Sequence, residues 1–149
     1  ALDLGQPDLV VADQGHEAGR RLVDYGRFAV PGSGRRSVLL EAGWHWEPET
    51  VERMERVTRS LLAMLGVVPG PLLPGGGSRV ARVTHTITAQ TADFTFTCPW
   101  RGGAVLPTRG TLIAHDGDRE IRTPHDDCML VMPNPLTLPG HTAVRLARL

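Results

Sequence analysis

Lysine is missing from the 149 residues, so all sixteen basic side chains are arginine. This excludes a Schiff-base lysine, a phosphate-loop lysine and a lysyl-linked biotin or lipoate. Net charge is missing too. Sixteen basic residues balance sixteen acidic ones, leaving no global field to draw the chain to nucleic acid or an anionic membrane, and neither is expected as a partner. Cysteine is scarce: Cys98 and Cys128 stand 30 residues apart and form no C-x-x-C pair, so neither a zinc knuckle nor a redox motif is indicated. Both read as buried thiols. No apolar run approaches the roughly 20 residues of a membrane span, and no charged stretch followed by an apolar core opens the chain, so a cytoplasmic location is expected.

What is present suits a globular protein. A hydrophobic fraction of 41% and a charged fraction of 21% allow a core, and the length fits one ordinary domain or two small ones. The opening Ala1-Leu2-Asp3-Leu4-Gly5 reads as the tail of a helix closed by glycine, which suggests a fragment. Asp8 to Asp13 is a short apolar run after a Gly/Pro break and predicts a buried strand. His16 to Arg36 is rich in glycine, arginine and polar residues and predicts a long connecting loop of the kind that more often carries function than not. Ser37 to Gly43 is continuously apolar apart from Glu41, as in a central strand covered on both faces by helices. From Pro48 to about Leu65 the apolar positions Val51, Met54, Val57, Leu61, Leu62 and Leu65 make a helical stripe. Glu49/Arg53, Glu52/Arg56 and Glu55/Arg59 are i,i+4 pairs in the favoured order, and Gly66 suits the C-terminal cap.

Pro69 to Gly77 is too broken by proline and glycine for a regular element and marks a linker. Beyond it the pattern changes from helix to strand. Strands are predicted at Val80–Ala89, Phe94–Thr97, Thr111–Ala114, Glu120–Arg122, Cys128–Met132 and Ala143–Leu146, separated by turns such as Asp116-Gly117 and Leu138-Pro139-Gly140. The organisation expected is therefore α/β over residues 1–68, a linker over 69–77 and an all-β domain over 78–149, the last a small barrel or sandwich. Between Gly110 and Gly140 the pattern is like that of biotinyl and lipoyl carriers, but the missing lysine excludes a shuttling arm. The domain is then a wall or lid over a cleft.

A carboxylate at the end of a buried apolar strand is costly unless it is paired, hydrogen-bonded or beside a cation, which singles out Glu41. Ligands in open α/β sheets collect at the carboxyl ends of strands, where a rigidly held glutamate can move protons. The bland reading is that Glu41 caps the following loop or pairs with an arginine such as Arg35. The string Val38 to Pro48, VLLEAGWHWEP, resembles the segment around the catalytic glutamate of the succinylglutamate desuccinylase/aspartoacylase family. The preceding His16 to Gly26, and Arg122 to Cys128 followed by Pro139 to Thr142, are similar to that family as well.

The resemblance implies the C-terminal remnant of a carboxypeptidase-like α/β zinc hydrolase domain followed by a small β barrel or sandwich domain. It also implies hydrolysis of an amide between an acyl group and an amino acid, with a small-molecule N-acyl amino acid as partner. In such an enzyme zinc polarises the carbonyl and acidifies bound water while the glutamate carries the proton to the departing nitrogen. Glu41 takes that role here as general base and acid. The family's zinc is held by an H-x-x-E pair and a later histidine, and no H-x-x-E occurs in this chain. Zinc is thus the expected cofactor of a complete enzyme, with no metal ligand assigned here and with the isolated chain inactive. Among local clusters, His115 with Asp116 and Asp118 comes nearest to a metal set, but Asp-Gly is ordinary turn chemistry. His45, between Trp44 and Trp46, is a candidate pocket residue or part of a packed aromatic corner. Arg20 and Arg27 are candidates to clamp a substrate carboxylate. A different class of function, a non-catalytic binding or assembly module, fits the same fold. An α/β remnant with two strands leaves sheet edges open, which predicts association, as in a homo-oligomer, or aggregation.

Overall fold

The computed structural model describes residues 1–13, 21–35, 37–70 and 77–149. The chain divides into two units, the first made of Ala1–Val10 and Gln14–Arg79, the second of Val11–Asp13 and Val80–Leu149.

In the first unit, Leu2–Leu4 form a 3-10 turn closed by Gly5 at φ 66°, whose N–H reaches the Leu2 carbonyl at 3.1 Å. The predicted glycine stop is present, on a shorter turn than a helix tail. Strand β1, Leu9–Ala12, follows where the apolar run predicts it, but none of its residues is buried and Val11 is exposed, which corrects the expectation of a buried strand. Of the predicted loop, residues 14–20 and 36 lie outside the described residues, while Leu22–Asp24 and Gly26–Phe28 form short 3-10 turns. Helix α1 spans Pro48–Met64, with proline in its first turn where no N–H is required. It ends in a Schellman motif, because Gly66 at φ 70° lets its own N–H bond Ala63 and the Val67 N–H bond Leu62, at 3.0 and 2.9 Å.

Three further expectations for this unit are corrected. Ser37–Gly43 forms no strand, and Leu39 is 70% exposed. A continuous apolar run becomes a central strand only beside partner strands, and none pairs with it among the described residues. Of the three helical ion pairs, Glu55–Arg59 forms at 2.9 Å. Arg53 instead donates to the Ala42 carbonyl, and Arg56 donates to Gln6 Oε1 at 3.3 Å. Partners outside the helix thus replace the local ones. The stripe also turns: the buried line is Thr50, Val57 and Ser60, whereas Val51 and Met54 are exposed. Leu4, Ala42 and Val57 are the buried apolar residues of this unit among those described, and burial of Leu4 and of Val57 contributes about 1.5–3 kcal/mol each by transfer from water. The linker predicted at 69–77 lies mostly outside the described residues.

The strand-rich part holds two sheets. One has the order β1-β2-β8-β7-β4, with β2 at Arg79–Thr88, β4 at Val105–Leu106, β7 at Cys128–Val131 and β8 at Thr142–Arg148. The other has the order β3-β5-β6, with β3 at Phe94–Phe96, β5 at Leu112–Asp116 and β6 at Arg119–Arg122. All six predicted strands are there within a few residues, and the two-residue β4 is added. The central β8 pairs antiparallel with both β2 and β7, through Ile87 opposite Val144 and Leu130 opposite Leu146. β5 and β6 form the hairpin that Asp116-Gly117 predicts, with Gly117 at φ 59°. The two sheets share one core: Phe94, Ile113 and Ile121 from one meet Leu106, Leu130, Val144 and Leu146 from the other. Trp100 packs on it and donates its indole N–H to the Ile113 carbonyl at 3.0 Å. Cys128 is buried at the start of β7, but Cys98 is exposed, which corrects the expectation of two buried thiols. It follows the short edge strand β3, where nothing covers it among the described residues.

Candidate functional site

Glu41 stands on an irregular segment between the 3-10 turns and α1, and its side chain is exposed. The next residue is fixed. Ala42 is 5% exposed, and its carbonyl accepts a hydrogen bond from the Arg53 guanidinium one turn into α1. Gly43 follows at φ 132°, a conformation side chains avoid, and an added Cβ would stand 2.6 Å from Thr50 Oγ1 and 3.2 Å from Arg53 Nη1. The glycine lets the chain pass close against the first turn of the helix. A turn then leads into α1, with Glu47 N–H bonding the Trp44 carbonyl at 3.2 Å and Thr50 N–H bonding Glu47 at 3.0 Å.

His45 is exposed on that turn. Trp44 and Trp46 are 61% and 92% exposed, so within this chain they neither wall a dry pocket nor pack as an aromatic corner. Arg27 is exposed on the Gly26–Phe28 turn, where its carbonyl accepts the Ser33 hydroxyl at 2.5 Å. Arg20 lies outside the described residues. No hydrogen bond or ion pair joins Glu41, His45, Arg27 and Arg35 to one another. Arg53 holds the segment after Glu41 through the Ala42 carbonyl, and Gly43 leaves room for the chain to pass Thr50. Sequence reasoning missed this trio, and the glycine two positions after Glu41 was the available signal.

Among the described residues no three His, Cys, Asp or Glu side chains are grouped to hold a metal ion. The His115, Asp116 and Asp118 cluster does not converge. His115 is exposed, whereas Asp116 is buried on the other face of β5. There Asp116 accepts hydrogen bonds from Gln90 N, Thr91 N and the Thr91 hydroxyl at 2.9, 2.9 and 2.8 Å, and from Arg119 at 2.9 Å. Burial alone would raise its pKa, and these donors together outweigh burial and hold the carboxyl below its ordinary value.

A cleft of about 450 Å³ in the second unit is lined by Arg109, His125, Asp126, Asp127 and Arg148, with Pro124 and Leu149. His125 is 8% exposed, and both of its nitrogens are engaged. Nδ1 lies 2.8 Å from the Asp126 carbonyl and must carry the proton there, since a carbonyl only accepts. Nε2 lies 3.0 Å from the Thr84 hydroxyl. The ring therefore pins the 124–127 loop to β2. Two arginines and two aspartates are thus among the cleft's lining residues, and Asp126 accepts the Arg109 backbone N–H at 2.7 Å.

Comparison with solved structures decides the fold. A succinylglutamate desuccinylase from Vibrio parahaemolyticus matches 66% of this chain with a TM-score of 0.50 and 22% identity. One from Vibrio cholerae matches 67% with a TM-score of 0.52 and 20% identity. In fold, the chain is like part of a succinylglutamate desuccinylase. The match spans 28% of the length of each of those desuccinylase chains. No protein-family model and no curated protein sequence matches the chain. The likeness to the desuccinylases is one of a sheet-rich fold with a single α-helix among the described residues. No helix among those residues is long and apolar enough to cross a membrane.

Proposed function

We propose that this chain is part of a zinc-dependent hydrolase that cleaves the amide bond of an N-acyl amino acid, with Glu41 as general base and acid. The observation that carries the reading is the desuccinylase-like fold over two thirds of the chain. The Val38–Pro48 string around Glu41 supports it. In this reading residues 1–68 are the remnant of a carboxypeptidase-like domain and residues 78–149 a barrel- or sandwich-like wall beside the cleft. Glu41 takes a proton from the attacking water and delivers one to the amide nitrogen as the carbon–nitrogen bond breaks, giving a carboxylate and an amine. The Arg53 contact to Ala42 and the close approach at Gly43 would fix the backbone that carries it. His45 would line the pocket, and Arg20 and Arg27 would bind the substrate carboxylate. The described residues do not fit a zinc site, so the metal would be held by side chains outside the described residues.

Two measurements test this. The 149-residue chain, dialysed against zinc, should retain far less than one equivalent and should not hydrolyse N-succinylglutamate; stoichiometric zinc would show that the chain holds its own ligands. In a longer polypeptide that adds an H-x-x-E motif, Glu41→Gln should lower kcat by about 100-fold or more with little change in KM. Undiminished activity would remove Glu41 from the chemistry.

The exposed position of Glu41, with no metal group among the described residues, favours a second reading. Here the chain is a non-catalytic binding or assembly module that keeps the fold. A start codon immediately before Ala1 would support the module; continuous coding sequence with H-x-x-E upstream would support the enzyme.

A further inference from the structure

The arginines of the second unit fall into two groups. Arg119, Arg122 and Arg145 each pair with a carboxylate, those of Asp116, Glu120 and Asp13, at 2.9, 2.8 and 3.1 Å. Arg82, Arg109 and Arg148 have no carboxylate partner among the described residues. Arg109 and Arg148 line the cleft beside His125, and Arg82 stands directly opposite Arg148 across the β2–β8 pair. Residues opposite one another on neighbouring strands project to the same side of the sheet, where like charges destabilise the pair. Arg101, also unpaired, precedes β4 and does not line the cleft.

The cleft wall is held from two sides. Arg109 N–H donates to Asp126 Oδ1 at 2.7 Å, Asp127 N–H to the Pro107 carbonyl at 3.1 Å and Gly110 N–H to the Thr123 carbonyl at 2.8 Å, which ties the 107–110 turn to the 123–127 loop. On the other side His125 Nε2 meets the Thr84 hydroxyl, which also reaches the Leu146 carbonyl at 3.1 Å. One oxygen of Asp126 is thereby committed to the backbone. Neither Asp126 nor Asp127 pairs with the guanidinium of Arg109 or Arg148.

We propose that this cleft binds a small oxyanion carrying two or more charges, a phosphate or a dicarboxylate, through the guanidinium groups of Arg109 and Arg148 with Arg82 beside them. Such an anion supplies the partner that these arginines lack and offsets the like charge of Arg82 and Arg148. Guanidinium groups suit it because they bind carboxylate and phosphate oxygens through paired hydrogen bonds. More than one charge is required, since Asp126 and Asp127 line the same cleft and repel a single one. A wall already held in place spares the anion the cost of ordering it. The site lies in the second unit and does not depend on the hydrolase reading.

Isothermal titration of the 149-residue chain with inorganic phosphate and with succinate, at an ionic strength held constant with sodium chloride, tests the site. Each is expected to bind at one saturable site, and acetate about tenfold or more weakly. Arg148→Gln should weaken phosphate binding about tenfold or more, whereas Arg101→Gln should leave it unchanged. Thermal melts show which variants are folded, and Arg109→Gln serves if Arg148→Gln loses the strand-rich fold. In NMR spectra, the amide shifts that phosphate causes should concentrate at residues 107–110, 123–127 and 146–149. No saturable binding of either dianion, shifts centred elsewhere, or equal losses in Arg101→Gln and Arg148→Gln overturn the proposal. Acetate binding as tight as succinate binding overturns the requirement for a second charge.

Discussion

The Thr91 hydroxyl and backbone N–H both donate to Asp116 Oδ1, at 2.8 and 2.9 Å, and so tie the 89–93 turn to the end of β5. Gln90 N and Arg119 complete the set on the other oxygen. A carboxylate 3% exposed is tolerable because its oxygens are matched by donors, one of them a cation. Asp116→Asn keeps the shape but presents an NH2 group to donors that need an acceptor. It is expected to cost about 2–4 kcal/mol in the unfolding free energy of the second unit. A urea midpoint within error of the unaltered chain would refute this reading.

The same carboxylate sets an acid limit on stability. Its folded pKa is lowered relative to the unfolded chain, so its contribution is fully present above the unfolded value of about 3.9 and is lost as pH falls from there through the folded pKa. Thermal melts between pH 6 and pH 2 should show stability falling below about pH 4. Asp116→Asn should show a shallower fall over that window, and identical slopes would mean that other carboxylates account for it.

Gly43→Ala probes the scaffold under Glu41. The backbone at φ 132° disfavours any side chain, and the new methyl group would fall 2.6 Å from Oγ1 of Thr50, the buried residue of the first turn of α1. The turn would have to open, at a cost of about 1–3 kcal/mol. A lower helix melting temperature is expected, with the strand-rich unit unaffected. Gly66→Ala is the comparison, because its φ is also positive but nothing lies within 4 Å of its Cβ position. It should cost only the backbone term of about 1 kcal/mol. Equal losses at the two glycines would discount the contact with Thr50.

These contacts mark where the sequence was legible and where it was not. Helix α1 could be read because its signals are local: proline at its start, periodic apolar residues and a glycine stop. The Thr-rich strands from β2 onward could be read because half-buried antiparallel strands alternate. The two residues of β4 are too few to show any period. Ser37–Gly43 was misread because a continuous apolar run states what the strand would need around it, not whether it is there. Arg53 and Arg56 obeyed no local pairing rule because their partners, Ala42 and Gln6, lie 11 and 50 residues away. For the candidate site, sequence singled out Glu41 and His45 but could not see the Arg53 contact to Ala42 or the close approach of Gly43 to Thr50 on the backbone between them.

The two thiols give the last test, since sequence assigned them one environment and the fold gives them two. Cys98 is exposed after β3, whereas Cys128 is 0% exposed at the start of β7, between β4 and β8 in the sheet. Burial pushes the Cys128 thiol up and away from the reactive thiolate, against a smaller opposing pull from Arg148. A disulfide reagent at pH 8 should therefore modify one thiol rapidly and the other only through opening of the sheet, about 100-fold slower or more. Cys98→Ser should abolish the fast phase and leave the slow one. The slow phase should then accelerate with urea and with Asp116→Asn, because each lowers the free energy of opening the second unit. Fast modification of Cys128 in the native chain would mean that β7 is not held between its neighbours.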